Sequence, residues 1–228
     1  MTSKPSESDS NSSKSSRFLS FGEDPRFDKW VELISAVVLA LATIATAWCG
    51  YQASRWSGEQ ANHYYLASNA RVEAAQASGE SLQRASVDVG LFLQWLDAYS
   101  QEDTQLQQFL FDRFPVDLKA ATEAWIATKP LQNPDAPSSP FAMPGYRQAD
   151  RDRIAQLEKT ADDEFALANS ANELGDRYVL LTVMFAGVLF FAGISGKFQS
   201  RMVDIGVLVA SMLVFLIGLI IVSTFPIK

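Results

Sequence analysis

The chain of 228 residues has one cysteine and one histidine. A single cysteine excludes an intramolecular disulfide. A single histidine, His63, cannot anchor a histidine-rich metal centre, because a metal site needs three or four ligands. Glu59 lies four positions before His63, whereas the di-iron helical motif is Glu-x-x-His. No turn marks a serine nucleophile for a Ser-His-Asp triad. The acidic run Asp162-Asp163-Glu164, with Asp150 and Asp152 nearby, lacks the alternating ligands and turn glycine of a calcium loop. Metal, cofactor and catalytic roles therefore have no signature here, and the expectation is a protein without a cofactor that is not an enzyme.

Proline is missing from 26–114 and again from 145–225, while Pro115, Pro130, Pro134, Pro137, Pro140 and Pro144 lie between. Proline costs about 3 kcal/mol in a helix interior, so the two proline-free arms are where long helices can run. The first arm is alanine-rich (Ala53, Ala61, Ala67, Ala70, Ala74, Ala77, Ala85). The second places Ile154, Leu157, Ala161, Phe165, Ala168, Ala171, Leu174 and Tyr178 three or four apart, which sets one apolar stripe on a helix face. An antiparallel, coiled-coil-like pair follows, with the small residues of the first arm facing Phe165 or Leu157. Ser57-Gly58-Glu59-Gln60 has capping-box spacing, yet one glycine costs only about 1 kcal/mol, so the first helix is read as continuous. Val89 to Tyr99, extended by Leu106, Phe109, Leu110 and Phe114, reads as a further amphipathic stretch, and 120–128 as a short helix.

Charge is absent from the centre of three apolar segments, 30–50, 178–194 and 203–225; Glu32 and Asp204 sit at segment ends. Each segment reaches or approaches the roughly 20 residues that span a bilayer. Trp30, Trp48, Tyr51 and Trp56 flank the first as an interfacial belt would. The fold class expected is all-α: three transmembrane helices and an extramembrane antiparallel helical domain at 51–177. A mid-membrane charge is what proton relays and coupled transporters use, and none is present. Arg17, Arg26, Lys29, Lys197 and Arg201 outnumber Arg55, Arg177 and Lys228, which puts the N-terminus and the loop 195–202 in the cytoplasm and the central domain outside. The tail 1–29 is Ser-rich and too polar to order itself. Ala45-Thr46-Ala47 fits a signal-peptidase site, but the long polar leader favours an uncleaved anchor. The net charge of −7 does not select nucleic acid.

Small residues recur at Ala36, Ala40, Thr43, Ala47 and Gly50, and at Gly206 and Ala210. Such faces let helices approach closely in lipid, and contact within one chain is favoured over contact between copies. Around the loop 129–145, Trp125, Phe141 and Tyr146 are candidate contacts for a partner, with internal packing as the competing explanation for Trp125.

The run Ala47-Trp48-Cys49-Gly50-Tyr51-Gln52-Ala53-Ser54-Arg55-Trp56-Ser57-Gly58-Glu59-Gln60-Ala61, followed by Tyr64-Tyr65 and Arg71-Val72-Glu73-Ala74, resembles bacterial membrane proteins of unknown function that have one helix, a helical extracytoplasmic region and a closing helical hairpin. The resemblance implies a multi-pass protein of the bacterial cytoplasmic membrane and transfers no functional residues. The functional expectation is a scaffold or accessory subunit, in the bilayer, with a partner membrane protein or further copies of itself. The alternative is a homo-oligomeric channel.

Overall fold

The computed structural model describes residues 25–197 and 201–228. The first 24 positions of the expected tail 1–29, and positions 198–200 of the loop 195–202, lie outside the described residues. The elements are α1 (Pro25–Ser100), α2 (Thr104–Asp112), α3 (Val116–Ala127), a short 3-10 helix (Pro140–Ala142), α4 (Gln148–Ile194) and α5 (Arg201–Ser223). Among the described residues there is no strand. Three of the helices, α1, α4 and α5, are long and apolar enough to cross a membrane. α1 passes through Ser57 and Gly58 without a break. The stretch from Val89 to Leu110 is not one helix, however. It is interrupted at 101–103, where Glu102 takes φ +58°. The Asp103 side chain then caps α2 by accepting from the Leu106 N–H at 3.0 Å.

The described residues divide into two compact units, one drawn from 25–54, 175–197 and 201–228, the other 55–174. In the first, α1 contributes Ser35, Val38, Ala42 and Cys49; α4 contributes Tyr178, Leu181, Phe185, Val188 and Ala192; α5 contributes Leu208, Ser211, Phe215 and Gly218. On α5 these fall at alternating three- and four-residue steps, the spacing that holds one helix face against a neighbour. Ser35 Oγ donates to the Ala192 carbonyl at 2.7 Å. The Phe185 and Phe215 rings meet edge-on, with centroids 5.8 Å apart. The outward side chains of this unit, Ile44, Leu180 and Ile220 among them, are exposed and apolar. Such a surface suits hydrocarbon rather than water.

The small-residue expectation is corrected here. Ala36, Ala40, Thr43, Ala47 and Gly50 all face outward on the single chain, as do Gly206 and Ala210. A Cβ added at Gly50 or Gly206 would meet nothing within 4 Å. The packed face of α1 is displaced by one position, because Ser35, Val38, Ala42 and Cys49 bring both small volume and matching side chains to α4. On α5 the close approach is at Gly218, where a Cβ would lie 2.5 Å from Met184 Cε and 2.7 Å from Phe185 Cε1.

In the second unit, α1 and α4 run antiparallel. His63 meets Glu164 (Nδ1···Oε2, 2.6 Å), Tyr64 donates to Asn169 at 2.9 Å, and Arg71 reaches Asp162 at 3.6 Å. From Tyr64 with Asn169, through Arg71 with Asp162, to Asp88 with Arg147, partner numbers fall as α1 numbers rise. Ala67, Ala70 and Ala74 are buried on α1, and Ala161, Ala168 and Ala171 on α4. The seam is thus alanine on both sides, not alanine against Phe165. Phe165 lies at the flank, 40 % exposed, with Tyr64 at 5.6 Å and the Arg71 guanidinium over its ring at 5.2 Å. Two rows of alanine bring the backbones together and leave no room for a phenyl ring between them.

Candidate functional site

The last turns of α1 place Asp88, Phe92, Trp95 and Ala98 on its buried face. The break after Ser100 and the capped start of α2 lead the chain to Phe114. Pro115 then precedes α3 as its N-cap residue, where a missing N–H costs nothing. α3 adds Leu118, Ala121 and Thr122 to the interior. Phe92, Trp95, Phe114 and Leu118 form the core of this unit, with Leu110, Phe111, Trp125 and Phe141 packed around it. The Phe92 ring is central: it stacks on Trp95 at 5.7 Å and receives the edges of Trp125 at 5.6 Å and Phe141 at 5.6 Å. Trp95 also stacks on Tyr99, at 5.6 Å.

The proline-punctuated segment closes over this cluster. Thr128 Oγ1 donates to the Trp125 carbonyl at 2.6 Å, and Trp125 Nε1 donates to the Pro137 carbonyl at 2.7 Å. Pro140 is buried in the short 3-10 helix. Tyr146 packs edge-on against Phe141, with centroids 5.3 Å apart. The expected partner contacts are therefore corrected. Tyr146 is buried, Phe141 is half-buried against Phe92 and Tyr146, and Trp125 spends its N–H on the loop that it packs beneath. Aromatic rings near a proline-rich loop gain more from Phe92 and from one another than they would from projecting into water.

A charged network fastens the start of α4 to α1. Tyr146 Oη donates to Asp88 Oδ2 at 2.9 Å, and Arg147 Nη1 reaches the same oxygen at 3.3 Å. Arg147 Nη2 and Nε hold Asp150 Oδ2 at 2.7 Å and 3.0 Å. Burial, then the adjoining Asp88 carboxylate, pushes the Tyr146 phenol up to about 12. The Arg147 hydrogen bond holds the Asp150 carboxyl below its ordinary value. Arg147 itself takes φ +51°, which an L side chain adopts at a cost of roughly 1–2 kcal/mol. Asp88, Arg147 and Trp95 had no place among the sequence candidates. Asp88 did carry a signal, since it is an ionised residue in register with Phe92 and Trp95. A carboxylate at such a position has to find a buried partner.

Beside this core lies a cavity of about 320 Å³, within the size range of small-molecule sites. Trp95, Tyr99 and Trp125 wall it, Ile126 and Leu131 stand in its lining, and Lys129 is its one ionised residue. Trp95 is 3 % exposed, and its Nε1–H has no acceptor among the described residues.

His63, the only histidine, is occupied with Glu164. The neighbouring acids diverge, Asp163 to Lys159 and Asp162 to Arg71. Among the described residues no group of three or more His, Cys, Asp or Glu is placed to hold a metal ion. Comparison with protein-family models, with curated proteins and with solved structures finds no match to this chain.

Proposed function

We propose that this chain is a non-enzymatic multi-pass membrane protein whose extramembrane helical unit is a scaffold or accessory subunit for a partner protein. The observation that carries the reading is a second apolar stripe on α1, beside the buried seam. Leu82, Val89, Leu93 and Leu96 are exposed and spaced seven, four and three apart. A helix rotates about 100° per residue, so these four share one narrow face. Leaving such a face in water is unfavourable by roughly 25 cal/mol per Å², and a partner helix would remove the cost. The reading includes the orientation expected from the basic residues, with unit 55–174 outside the bacterial cytoplasmic membrane.

A photo-crosslinking residue at Leu93, compared with one at the exposed Gln83, tests this in native membranes. A discrete second protein captured from position 93 and absent at 83 is the expected result. Equal labelling at both positions, or none, would refute it.

The outward row Ala36, Ala40, Thr43, Ala47 and Gly50 favours a second reading, self-association through α1. Pore lining fits it less well. The Thr43 hydroxyl donates to the Leu39 carbonyl and the Thr46 hydroxyl to the Ala42 carbonyl, both at 2.8 Å. Hydroxyls engaged with their own helix supply few groups to a water-filled path.

A further inference from the structure

We propose that the cavity beside Trp95 binds a small amphipathic anion, an aryl or alkyl carboxylate, with its apolar body between the aromatic walls and its carboxylate toward Lys129. Three observations converge. The walls are Trp95, Tyr99 and Trp125, with Ile126 and Leu131 in the lining, so the body of the ligand has to be apolar. The lining contains one cation and no acid, in a chain whose net charge is −7. Local positive charge against an acidic background selects an anion.

The third observation concerns placement. Lys129 takes φ +52°, a left-handed conformation that glycine adopts freely and lysine does not. Its N–H donates to the Ile126 carbonyl at 2.9 Å, and its carbonyl accepts from Gln132 at 2.8 Å and Asn133 at 2.9 Å. The turn is thereby fixed at the cavity with a basic side chain on it. Lys129 makes no ion pair among the described residues, so its ammonium is available to an anion. The buried Trp95 N–H also lacks an acceptor. Beside the amphoteric side chains of Tyr99, Gln107 and Gln132, the Lys129 ammonium and the Trp95 N–H can only donate, and a carboxylate supplies only acceptors when ionised.

The test uses the full chain in lipid nanodiscs with 4-phenylbutyrate as probe, its neutral amide as comparison and empty nanodiscs as background. Ligand-observed NMR titration reads the dissociation constants. The expected result is saturable binding of the acid, with the amide at least tenfold weaker. Lys129→Met should weaken the acid to the level of the amide. Ile126→Glu, a substitution at an exposed position, should weaken the acid more than the amide. Helicity and unfolding midpoint read on both variants establish that the fold is retained. Uptake of the acid no greater than into empty nanodiscs overturns the proposal. So does saturable binding that ignores either the carboxylate or Lys129.

Discussion

Asp88 and Arg147, 59 positions apart, meet at 3.3 Å with side chains 3 % and 8 % exposed, and the Tyr146 hydroxyl shares the same carboxylate oxygen. This arrangement ties the end of the proline-punctuated segment to α1. Removing one partner of a buried pair leaves the other charge uncompensated, at a cost of about 3–5 kcal/mol. Asp88→Ala should therefore destabilise unit 55–174 by that amount. The double variant Asp88→Leu with Arg147→Met should recover most of the loss. Chemical unfolding in detergent, followed by tryptophan fluorescence, measures both. A double variant no more stable than Asp88→Ala would show that the pair is not the source of the effect.

The same network makes stability depend on pH in two windows. The Tyr146 phenol is raised from 10.0 to about 12 in the folded chain, through burial first and the Asp88 carboxylate second. A raised value means that the stabilisation is complete below pH 10.0 and is lost as the pH climbs through about 12. Asp150 is lowered from 3.8, so its contribution is present above that value and is lost as the pH falls through the folded-state one. Tyr146→Phe should flatten the alkaline decline of the unfolding midpoint and leave the acid limb unchanged. Asp150→Asn should do the reverse. If Tyr146→Phe left the alkaline slope unaltered, the phenol would not be the titrating group.

The helical class and the three apolar segments were legible because both follow from local patterns: the long proline-free arms, and apolar runs without a central charge. The choice of contact face was not. In α1 the row Ala36, Ala40, Thr43 runs beside the row Ser35, Val38, Ala42, and both have the spacing and the small volumes of a packing face. Only the side chains of α4 decide between them, and these lie more than 130 positions away. Trp125, Phe141 and Tyr146 were identifiable as a group with a shared environment. Their direction depended on Phe92, which sequence places on a different helix. Arg147 had no local mark, since the carboxylate it meets, Asp88, lies 59 positions away.

At Gly218 a methyl group cannot replace the hydrogen without a clash. A Cβ there would sit 2.5 Å from Met184 Cε, which can swing aside, and 2.7 and 2.8 Å from the Phe185 ring. That ring is fully buried and held against Phe215. Gly218→Ala should thus cost about 1–3 kcal/mol through overpacking. Gly206→Ala, with nothing within 4 Å, should be neutral or slightly stabilising, because alanine is the better helix former by about 1 kcal/mol. SDS-induced unfolding of the two variants separates these outcomes. Equal stability would mean that α4 and α5 are not in close contact at Gly218.

The two rows of α1 can be told apart by enlarging one residue in each. Ala42 is 0 % exposed, so Ala42→Leu forces extra methylene groups into the contact with α4. The expected cost is about 1–3 kcal/mol of folding stability. Ala40 and Ala47 face outward, and leucine there adds only apolar surface to an apolar medium. Ala40→Leu with Ala47→Leu should leave folding stability within about 0.5 kcal/mol of the parent, as substitutions away from packed contacts do. If copies of the chain associate through this row, the same double variant widens the closest approach of two α1 helices and weakens the assembly, because small residues allow the backbones to touch. Native mass spectrometry in mild detergent, read beside the unfolding curve, distinguishes the cases. A lower oligomeric state at unchanged stability assigns the outward row to contact between copies. An unchanged oligomer leaves lipid as its neighbour and removes the observation on which self-association rests.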